Sequence, residues 1–173
     1  MGSEGEAMSE RPAYVLGVDP GLSGALCLLR VSGLASESIF DMPVLEGQVD
    51  AVQLAMIVDM CKTRGSVIAG IEQVSSMPRQ KGSFNFGVSA GILQGVLGAL
   101  GVPFSMVQPA QWKGACGLRR GVNETQAQNK TRARELAMKL WPEQADSFKR
   151  VRDDGRAESC LLARHYANKM GWI

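Results

Sequence analysis

Four acidic residues stand at positions where their carboxylates could act together. Asp19 directly follows the apolar run of residues 14–18, Glu72 ends the run SVIAGIE, and Asp154 and Glu158 lie within VRDDGRAESCLLARHYAN. Residues four apart on a helix project from the same face. Carboxylate oxygens are the ligands that Mg²⁺ prefers, and two such ions about 4 Å apart can activate a water and stabilise the leaving oxygen of a phosphodiester. The four acids therefore predict an oxygen cage for divalent ions.

Each of these acids also has a structural interpretation. Asp19 precedes Pro-Gly and could serve only as a turn residue. Glu72 could pair with an arginine, Asp153 or Asp154 could cap a helix, and Glu158 could be a favourable charge near a helix start. Taken singly, each structural interpretation is adequate, and it is the joint pattern that favours a site.

The elements that must position these acids follow an alternating order. Apolar runs predict strands, and helical periodicity predicts helices, in the order β-β-β-α-β-α-β-α-α. A helix between the first and fourth strands makes them parallel, so that Asp19 and Glu72 meet at one edge of a sheet. The predicted class is α/β, a mixed five-stranded sheet flanked by helices. The strands cover residues 14–19, 24–31, 38–42, 66–72 and 103–107, and the helices cover 49–64, 84–100, 125–140 and 154–170.

Length and composition predict one globular domain. The chain has 173 residues, of which 45% are hydrophobic and 21% charged, and no apolar stretch approaches the ~20 residues of a membrane span. Residues 13–173 are predicted to form the domain, and the polar residues 1–12 either a disordered tail or a vector-derived addition ahead of a native start at Met8. The four cysteines show no CxxC spacing, which favours reduced thiols over zinc ligands; they are Cys27, Cys61, Cys116 and Cys160.

Charge is distributed unevenly along the chain. Residues 13–75 contain three basic and seven acidic side chains, whereas residues 109–156 contain eleven basic and six acidic ones. Such asymmetry is typical of a protein with a polyanionic partner on one face. A solvated helical surface would give the same pattern.

The stretches that carry the acids resemble the RuvC-type Holliday junction resolvases, a family of the retroviral-integrase/RNase H superfamily. "GVDPGLSGAL" is similar to the family's first-strand motif, "IEQV" to its acidic strand and "DDGRAESCLLA" to its final acidic helix, and the likeness runs from residue 14 to about residue 168. The resemblance implies an RNase H-like fold and two Mg²⁺ ions per active site, for which Mn²⁺ can substitute, held by Asp19, Glu72, Asp154 and Glu158.

The last motif is most similar to phage and chloroplast members. In these an acidic residue or a histidine precedes the glutamate by four positions, whereas bacterial housekeeping members usually space the pair by three. Asp154 is the residue that fits the spacing of four, and Asp153 remains the alternative.

Two lysines match further positions of the family. Lys113 lies in "PAQWKGACGL" and Lys130 in "NKTRARELAMKLWP". The resemblance implies that both assist the scissile phosphate, since a lysine there supplies a point charge to the developing oxygens. Without the resemblance they would be interpreted as ordinary surface lysines.

The polar loop after Glu72 is a candidate for DNA contact. In resolvases of this type the corresponding region enters the junction core, and apolar wedges beside cations are a known way to hold unstacked nucleic acid. A loop without a partner is the alternative. The loop candidates are Ser75, Ser76, Met77, Arg79, Gln80, Lys81, Ser83 and Phe84. A second basic set, expected to bind flanking duplex through its phosphates, comprises Arg119, Arg120, Lys149, Arg150 and Arg152.

The predicted helix over residues 84–100 carries glycines three or four positions apart, at Gly87, Gly91, Gly95 and Gly98. Glycine costs a helix about 1 kcal/mol relative to alanine, so a stripe of glycines indicates close packing on that face. The packing partner could be the sheet of the same chain. The resemblance instead implies a homodimer through this helix, which suits an enzyme that must nick two symmetric strands.

The function that this resemblance implies is resolution of four-way DNA junctions by paired symmetric nicks that leave 5′-phosphate and 3′-hydroxyl ends. It implies no membrane and no nucleotide cofactor, and a location in the cytoplasm or nucleoid of a bacterium or phage, or in an organelle nucleoid. Three alternatives stay open: an RNase H-like or flap-cutting nuclease, a non-catalytic junction-binding protein, and an actin-like ATPase or sugar kinase, although the last class needs two such domains.

Overall fold

The computed structural model describes residues 11–73 and 83–173, with the backbone alone described for residues 83–86. The strands β1 to β7 are Tyr14–Val18, Ala25–Arg30, Ser36–Asp41, Val44–Leu45, Gln48–Val49, Val67–Glu72 and Phe104–Val107. The helices α1 to α5 are Ala51–Lys62, Ser83–Ala99, Pro109–Ala115, Gln126–Leu140 and Asp154–Lys169, with 3₁₀ segments at Pro142–Phe148 and Val151–Asp153. Of the predicted tail over residues 1–12, residues 1–10 lie outside the described residues.

A mixed sheet forms the centre of the molecule. Its strand order is β3-β2-β1-β6-β7, with β1 antiparallel to β2, β2 antiparallel to β3, and the pairs β1–β6 and β6–β7 parallel. The parallel pairs arise because helices α1 and α2 carry the chain back between strands. The prediction of an α/β fold with a mixed five-stranded sheet flanked by helices is confirmed.

The two faces of the sheet bury two separate hydrophobic clusters. Successive residues of a strand point to opposite faces, and accordingly Val15 and Leu16 of β1 belong to different clusters. Helices α1 and α2 cover the face of Leu16, through residues such as Leu54 and Leu93, while α3, α4 and α5 cover the other. Among the described residues, no helix combines the length and apolar character needed to cross a bilayer.

The start of α1 differs from the prediction of a helix over residues 49–64. Val49 belongs to the short hairpin β4–β5, whose turn places Glu46 at φ 50° and Gly47 at φ 76°. The helix begins at Ala51, because the Asp50 carboxylate accepts hydrogen bonds from the backbone N–H groups of the helix's first turn. The Glu-Gly pair between two short apolar runs was the sequence signal for this hairpin.

Helix α5 lies unusually close to the sheet. A Cβ atom on Gly17 of β1 would overlap the carbonyl oxygen of Ser159 on α5. A Cβ on Gly155 of α5 would lie 2.6 Å from the carbonyl oxygen of Ser23, in the turn after β1. Only glycine tolerates such approaches, and they fix the first turns of α5 against the end of β1.

The glycines of α2 do not pack against the sheet. Gly87, Gly91, Gly95 and Gly98 are exposed, and a Cβ at any of them would meet no atom within 4 Å. The opposite side of the helix is buried, through Ser89, Leu93 and Leu97. The interpretation of a tight helix-on-sheet contact is therefore wrong, because the glycines occupy the outward face of α2.

All four cysteines are free thiols, as predicted. Cys27, Cys61 and Cys160 are buried, and Cys116 is half-buried. Burial raises the pKa of the Cys61 thiol to about 11, which keeps it protonated and unreactive. These side chains act as small apolar residues of the two clusters.

Candidate active site at the carboxyl edge of the sheet

The parallel pairing of β1 and β6 places two of the predicted acids side by side. Val18 pairs with Ile71, so that Asp19 and Glu72, which follow them, lie next to each other at the carboxyl edge of the sheet. The Oδ1 atom of Asp19 accepts a hydrogen bond of 3.2 Å from the backbone N–H of Gly21. This is the edge at which open α/β sheets bind their ligands.

Helix α5 brings Glu158 to the same place. The Nζ atom of Lys113, on α3, lies 3.2 Å from Oε1 of Glu158 and 3.9 Å from Oε1 of Glu72. Glu158 is only 8% exposed. One ammonium group therefore stands between two carboxylates that come from positions 86 residues apart in the chain.

The electrostatics of the edge reflect this concentration of negative charge. Burial, followed by the charges of Glu72 and Glu158, raises the pKa of Asp19 to about 7, against the opposing effects of the Gly21 N–H and the Lys113 ammonium. Burial also raises the pKa of Glu72, where Lys113 and Trp112 oppose it and Glu158 reinforces it. Buried carboxylates that raise each other's pKa favour the entry of a cation.

The second lysine, Lys130, lies at the start of α4 and forms an ion pair with Asp154. Burial alone would lower the pKa of Lys130, but the hydrogen bond to Asp154 and the charges of Asp154, Glu158 and Asp19 outweigh it, and the pKa is raised. The structure thus brings all six predicted site residues to one region, with Lys113 and Lys130 as its cations.

The two adjacent aspartates at the start of α5 have different partners. Asp153 is 1% exposed and accepts hydrogen bonds from the backbone N–H of Arg150 at 2.8 Å and from its Nε at 3.0 Å, and Nη1 of Arg156 lies 3.9 Å away. Burial by itself would raise the pKa of Asp153, yet the hydrogen bonds and charge of Arg150 hold it below its usual range. Asp153 is committed to this arginine pair, whereas Asp154 faces Lys130.

Substitution of each aspartate by asparagine is expected to separate these roles. Asp153→Asn removes the charge of a buried carboxylate that accepts hydrogen bonds from Arg150, and it should lower the free energy of unfolding by about 2 kcal/mol. Asp154→Asn removes a partly exposed pair, which should cost less than about 1 kcal/mol. Chemical denaturation of the two variants checks this order, and a larger loss for Asp154→Asn would contradict the assignment of Asp153 to the fold.

The donor chemistry of the site suits a hard divalent cation. Asp19, Glu72, Asp154 and Glu158 offer carboxylate oxygens, the ligands that Mg²⁺ and Mn²⁺ take, and the Lys113 ammonium already stands where a cation is favoured. Within residues 11–73 and 83–173, no three carboxylate, imidazole or thiol side chains stand close enough together to hold a metal ion as they are oriented. The residues therefore fit a metal in type and charge, while ligation requires their side chains to turn toward it.

The predicted DNA-binding residues are only partly described. Ser75, Ser76, Met77, Arg79, Gln80 and Lys81 lie outside the described residues, and Ser83 and Phe84 begin α2 with their side chains outside them. Arg119, Arg120, Lys149, Arg150 and Arg152 are all exposed. Part of this charge is used within the chain, because Lys149 pairs with Asp146 and Arg150 with Asp153.

Trp112 is a site residue that the sequence analysis did not select. Its Nε1 donates a hydrogen bond of 2.9 Å to Oε1 of Glu72, and its ring centroid lies 4.9 Å from Nζ of Lys113. Its only sequence signal was its position next to Lys113. A tryptophan in a short amphipathic helix is ordinarily interpreted as core, and Trp112 is indeed fully buried.

The sheet order, the flanking helices and the acids at the carboxyl edge define an RNase H-like α/β fold. Within that class the chain has the RuvC-type fold. It is similar to a Thermus thermophilus RuvC structure, with a TM-score of 0.60 and 16% sequence identity over 91% of this chain and 96% of the other. It is also similar to T. thermophilus RuvC in complex with a Holliday junction substrate, with a TM-score of 0.61 and 17% identity over 92% and 96% of the two chains. No protein-family model matches the sequence, and no curated protein sequence matches it.

Proposed function

We propose that this chain is a metal-dependent, structure-selective endonuclease that resolves four-way DNA junctions by paired nicks. The observation that carries the proposal is the convergence of Asp19, Glu72 and Glu158 on the Lys113 ammonium at the carboxyl edge of a RuvC-type sheet. The likeness to a RuvC bound to a Holliday junction substrate supports the choice of DNA substrate.

The acids favour catalysis over simple binding. A protein that only binds DNA gains nothing from a cluster of carboxylates facing phosphate, since like charges repel. Here the cluster is also costly to the fold, because burial and mutual repulsion raise the pKa of Asp19 and of Glu72. A divalent cation would offset both costs and would make the cluster attractive to a phosphodiester.

In this mechanism Asp19, Glu72, Asp154 and Glu158 would hold Mg²⁺, two ions per site, with Mn²⁺ able to substitute. When bound, the metal supplies Lewis acidity and a more acidic water for attack on phosphorus. Lys113 and Lys130 donate to non-bridging phosphate oxygens, where negative charge grows in the transition state. Hydrolysis leaves a 5′-phosphate and a 3′-hydroxyl.

The binding surface would be shared between two regions of the chain. Residues 75–84, directly after Glu72, would contact the junction centre. Arg119, Arg120 and Arg152 are exposed, and with Lys149 and Arg150 they would bind the flanking duplex arms through phosphates, without sequence preference.

We further propose that the enzyme works as a homodimer through α2. The four exposed glycines give α2 a flat outward face on which a second helix can approach closely, and an isologous pair of such faces yields two equivalent sites for two symmetric strands. The hydrophobic side of α2 is already used by its own sheet.

Gly95→Leu is expected to convert the dimer to a monomer, because a leucine on the flat face prevents close approach of the partner helix. The α2 helix itself should gain up to about 1 kcal/mol, since leucine is the better helix former. Analytical ultracentrifugation and junction cleavage measure the outcome: monomers that make single, uncoordinated nicks. Gln126→Leu, at an exposed position of α4, is the matched control, and a Gly95→Leu protein that remains dimeric would exclude this interface.

The function is tested with a synthetic four-way junction labelled on each strand in turn. With Mg²⁺, we expect nicks at symmetric positions on two opposing strands, with ends that DNA ligase can rejoin. Linear duplex, an RNA–DNA hybrid and a flap of the same sequence are the comparison substrates. Cleavage of the hybrid or flap but not of the junction would indicate the alternative nucleases, and tight junction binding without cleavage under Mg²⁺ or Mn²⁺ would indicate a binding protein.

A further inference from the structure

Trp112 contacts the two central groups of the site at once. Its indole N–H donates to Oε1 of Glu72 at 2.9 Å, and its ring lies 4.9 Å from the Lys113 ammonium. The side chain has no solvent exposure and comes from α3, the helix that also carries Lys113. A single buried residue therefore links an acid of β6 to the cation that stands beside it.

The hydrogen bond to Glu72 restricts how that carboxylate can turn. Trp112 and Lys113 both contact Oε1, and no hydrogen bond to Oε2 is present within the described part of the chain. A donor that holds one oxygen of a carboxylate leaves the other available as a ligand. Hydrogen-bond donors that contact a metal ligand, but not the metal itself, fix the geometry of the ligating side chain and strengthen metal binding.

The indole ring has a separate effect on Lys113. The face of a tryptophan ring attracts an ammonium group within about 6 Å of its centroid, and more strongly where water is excluded. Lys113 is thereby held over a rigid, fully buried plane, with Nζ 3.2 Å from Glu158. A flexible lysine side chain without this support would adopt many rotamers.

We propose that Trp112 is a positioning residue of the nuclease site: its N–H orients Glu72 for a divalent cation, and its ring orients Lys113 for the phosphate. The proposal rests on the proposed function and assigns these two tasks to different parts of one side chain.

The chain provides a matched control in Trp141. This tryptophan is also buried, and its Nε1 also donates a hydrogen bond of 2.9 Å, but to the backbone carbonyl of Leu34 rather than to a carboxylate. If Trp112 served only as core, loss of its N–H would have the same consequences as loss of the Trp141 N–H.

The experiment compares Trp112→Phe with Trp141→Phe in the full chain. Calorimetric titration with Mn²⁺ alone should show about tenfold weaker binding for Trp112→Phe and no change for Trp141→Phe. In junction cleavage, Trp112→Phe should require about tenfold more Mg²⁺ for half-maximal rate and should recover most of its rate at saturation. Trp112→Leu, which also lacks the aromatic face, should remain about tenfold slower at saturating Mg²⁺.

A variant that conserves the shape of the Trp112 side chain keeps the experiment informative even if Trp112→Phe misfolds. Genetic incorporation of 3-benzothienylalanine at position 112 keeps the bicyclic ring and removes the N–H, and it should reproduce the tenfold loss in Mn²⁺ affinity. Equal Mn²⁺ affinities for this variant and the wild type, or equal losses for the phenylalanine variants at positions 112 and 141, would overturn the proposal. A wild-type protein that binds Mn²⁺ but cuts no junction would instead refute the proposed function, because the Mn²⁺ titration does not depend on cleavage.

Discussion

Asp19→Asn is expected to abolish junction cleavage while leaving junction binding intact. The asparagine keeps the shape of the side chain and an oxygen that can accept the Gly21 N–H, so the turn after β1 should be preserved. The loss is the anionic charge needed to hold a divalent cation, whose contribution of several kcal/mol corresponds to about 1,000-fold or more in rate. Single-turnover cleavage and gel-shift titration on the same junction measure the two quantities.

The same substitution should stabilise the protein in the absence of metal, with a defined pH dependence. The pKa of Asp19 is about 7 in the folded protein and near 3.9 when unfolded, so the folded state holds an extra proton between these values. The contribution of Asp19 to wild-type stability therefore falls as pH rises from about 4 to 7. Asp19→Asn lacks this loss and should be more stable than the wild type at pH 8, by on the order of 2 kcal/mol.

Calorimetry in EDTA at pH 4 and pH 8 checks the direction of this pH dependence. The stability advantage of Asp19→Asn over the wild type should be small at pH 4 and fully present at pH 8. Added Mg²⁺ should stabilise the wild type but not the variant. Asp59→Asn, at an exposed position of α1, is the control for the loss of a surface charge. Undiminished cleavage by Asp19→Asn would remove this residue from the metal site.

Lys113→Met is expected to change metal binding and catalysis in opposite directions. Its ammonium stands 3.2 Å from Glu158 and 3.9 Å from Glu72, so it competes with any cation that these acids attract. Methionine should therefore increase the affinity for Mn²⁺. Cleavage should nevertheless fall by about 100-fold or more, because the phosphate oxygens lose a positioned donor in the transition state.

Opposite changes in Mn²⁺ affinity and cleavage rate distinguish a catalytic lysine from a structural one. A lysine that only neutralised the acids would be replaced by the metal itself, and its loss would leave the rate at saturating Mg²⁺ unchanged. Lys139→Met, on an exposed part of α4, should alter neither quantity. The measurements are Mn²⁺ calorimetry and the single-turnover rate as a function of Mg²⁺ concentration.

The sequence was sufficient to predict the fold and the meeting of two acids. Asp19 and Glu72 end the first and fourth predicted strands, and the crossover helix before the fourth makes these strands parallel, which places their ends together. The class of the sheet followed from the same alternation of strands and helices. Glu158 was selected from its helical spacing of four from Asp154, and the two lysines through motif resemblance; in the structure α5, α3 and α4 bring them to the site.

Other features depend on contacts that no local pattern encodes. Asp153 and Asp154 differ in their partners: Arg150 and Arg156 lie against Asp153, whereas Asp154 faces Lys130. The stripe of glycines on α2 has helical spacing whichever side it faces, so only its packing reveals that it points outward. The sequence alone predicts that Trp112 is an ordinary core residue, because Glu72, which accepts its N–H, lies 40 residues earlier in the chain.

The order of elements along the chain has a consequence for synthesis of the protein. Helix α5 follows every strand of the sheet, yet it supplies Asp154 and Glu158 and packs against Gly17 of the first strand. A nascent chain still attached to the ribosome at residue 153 has all five strands of the sheet but only half of the acids, and one face of its sheet lacks the part of its cover that α5 supplies. Maturation of the site is therefore coupled to synthesis of α5, and products truncated before this helix would be aggregation-prone rather than partially active.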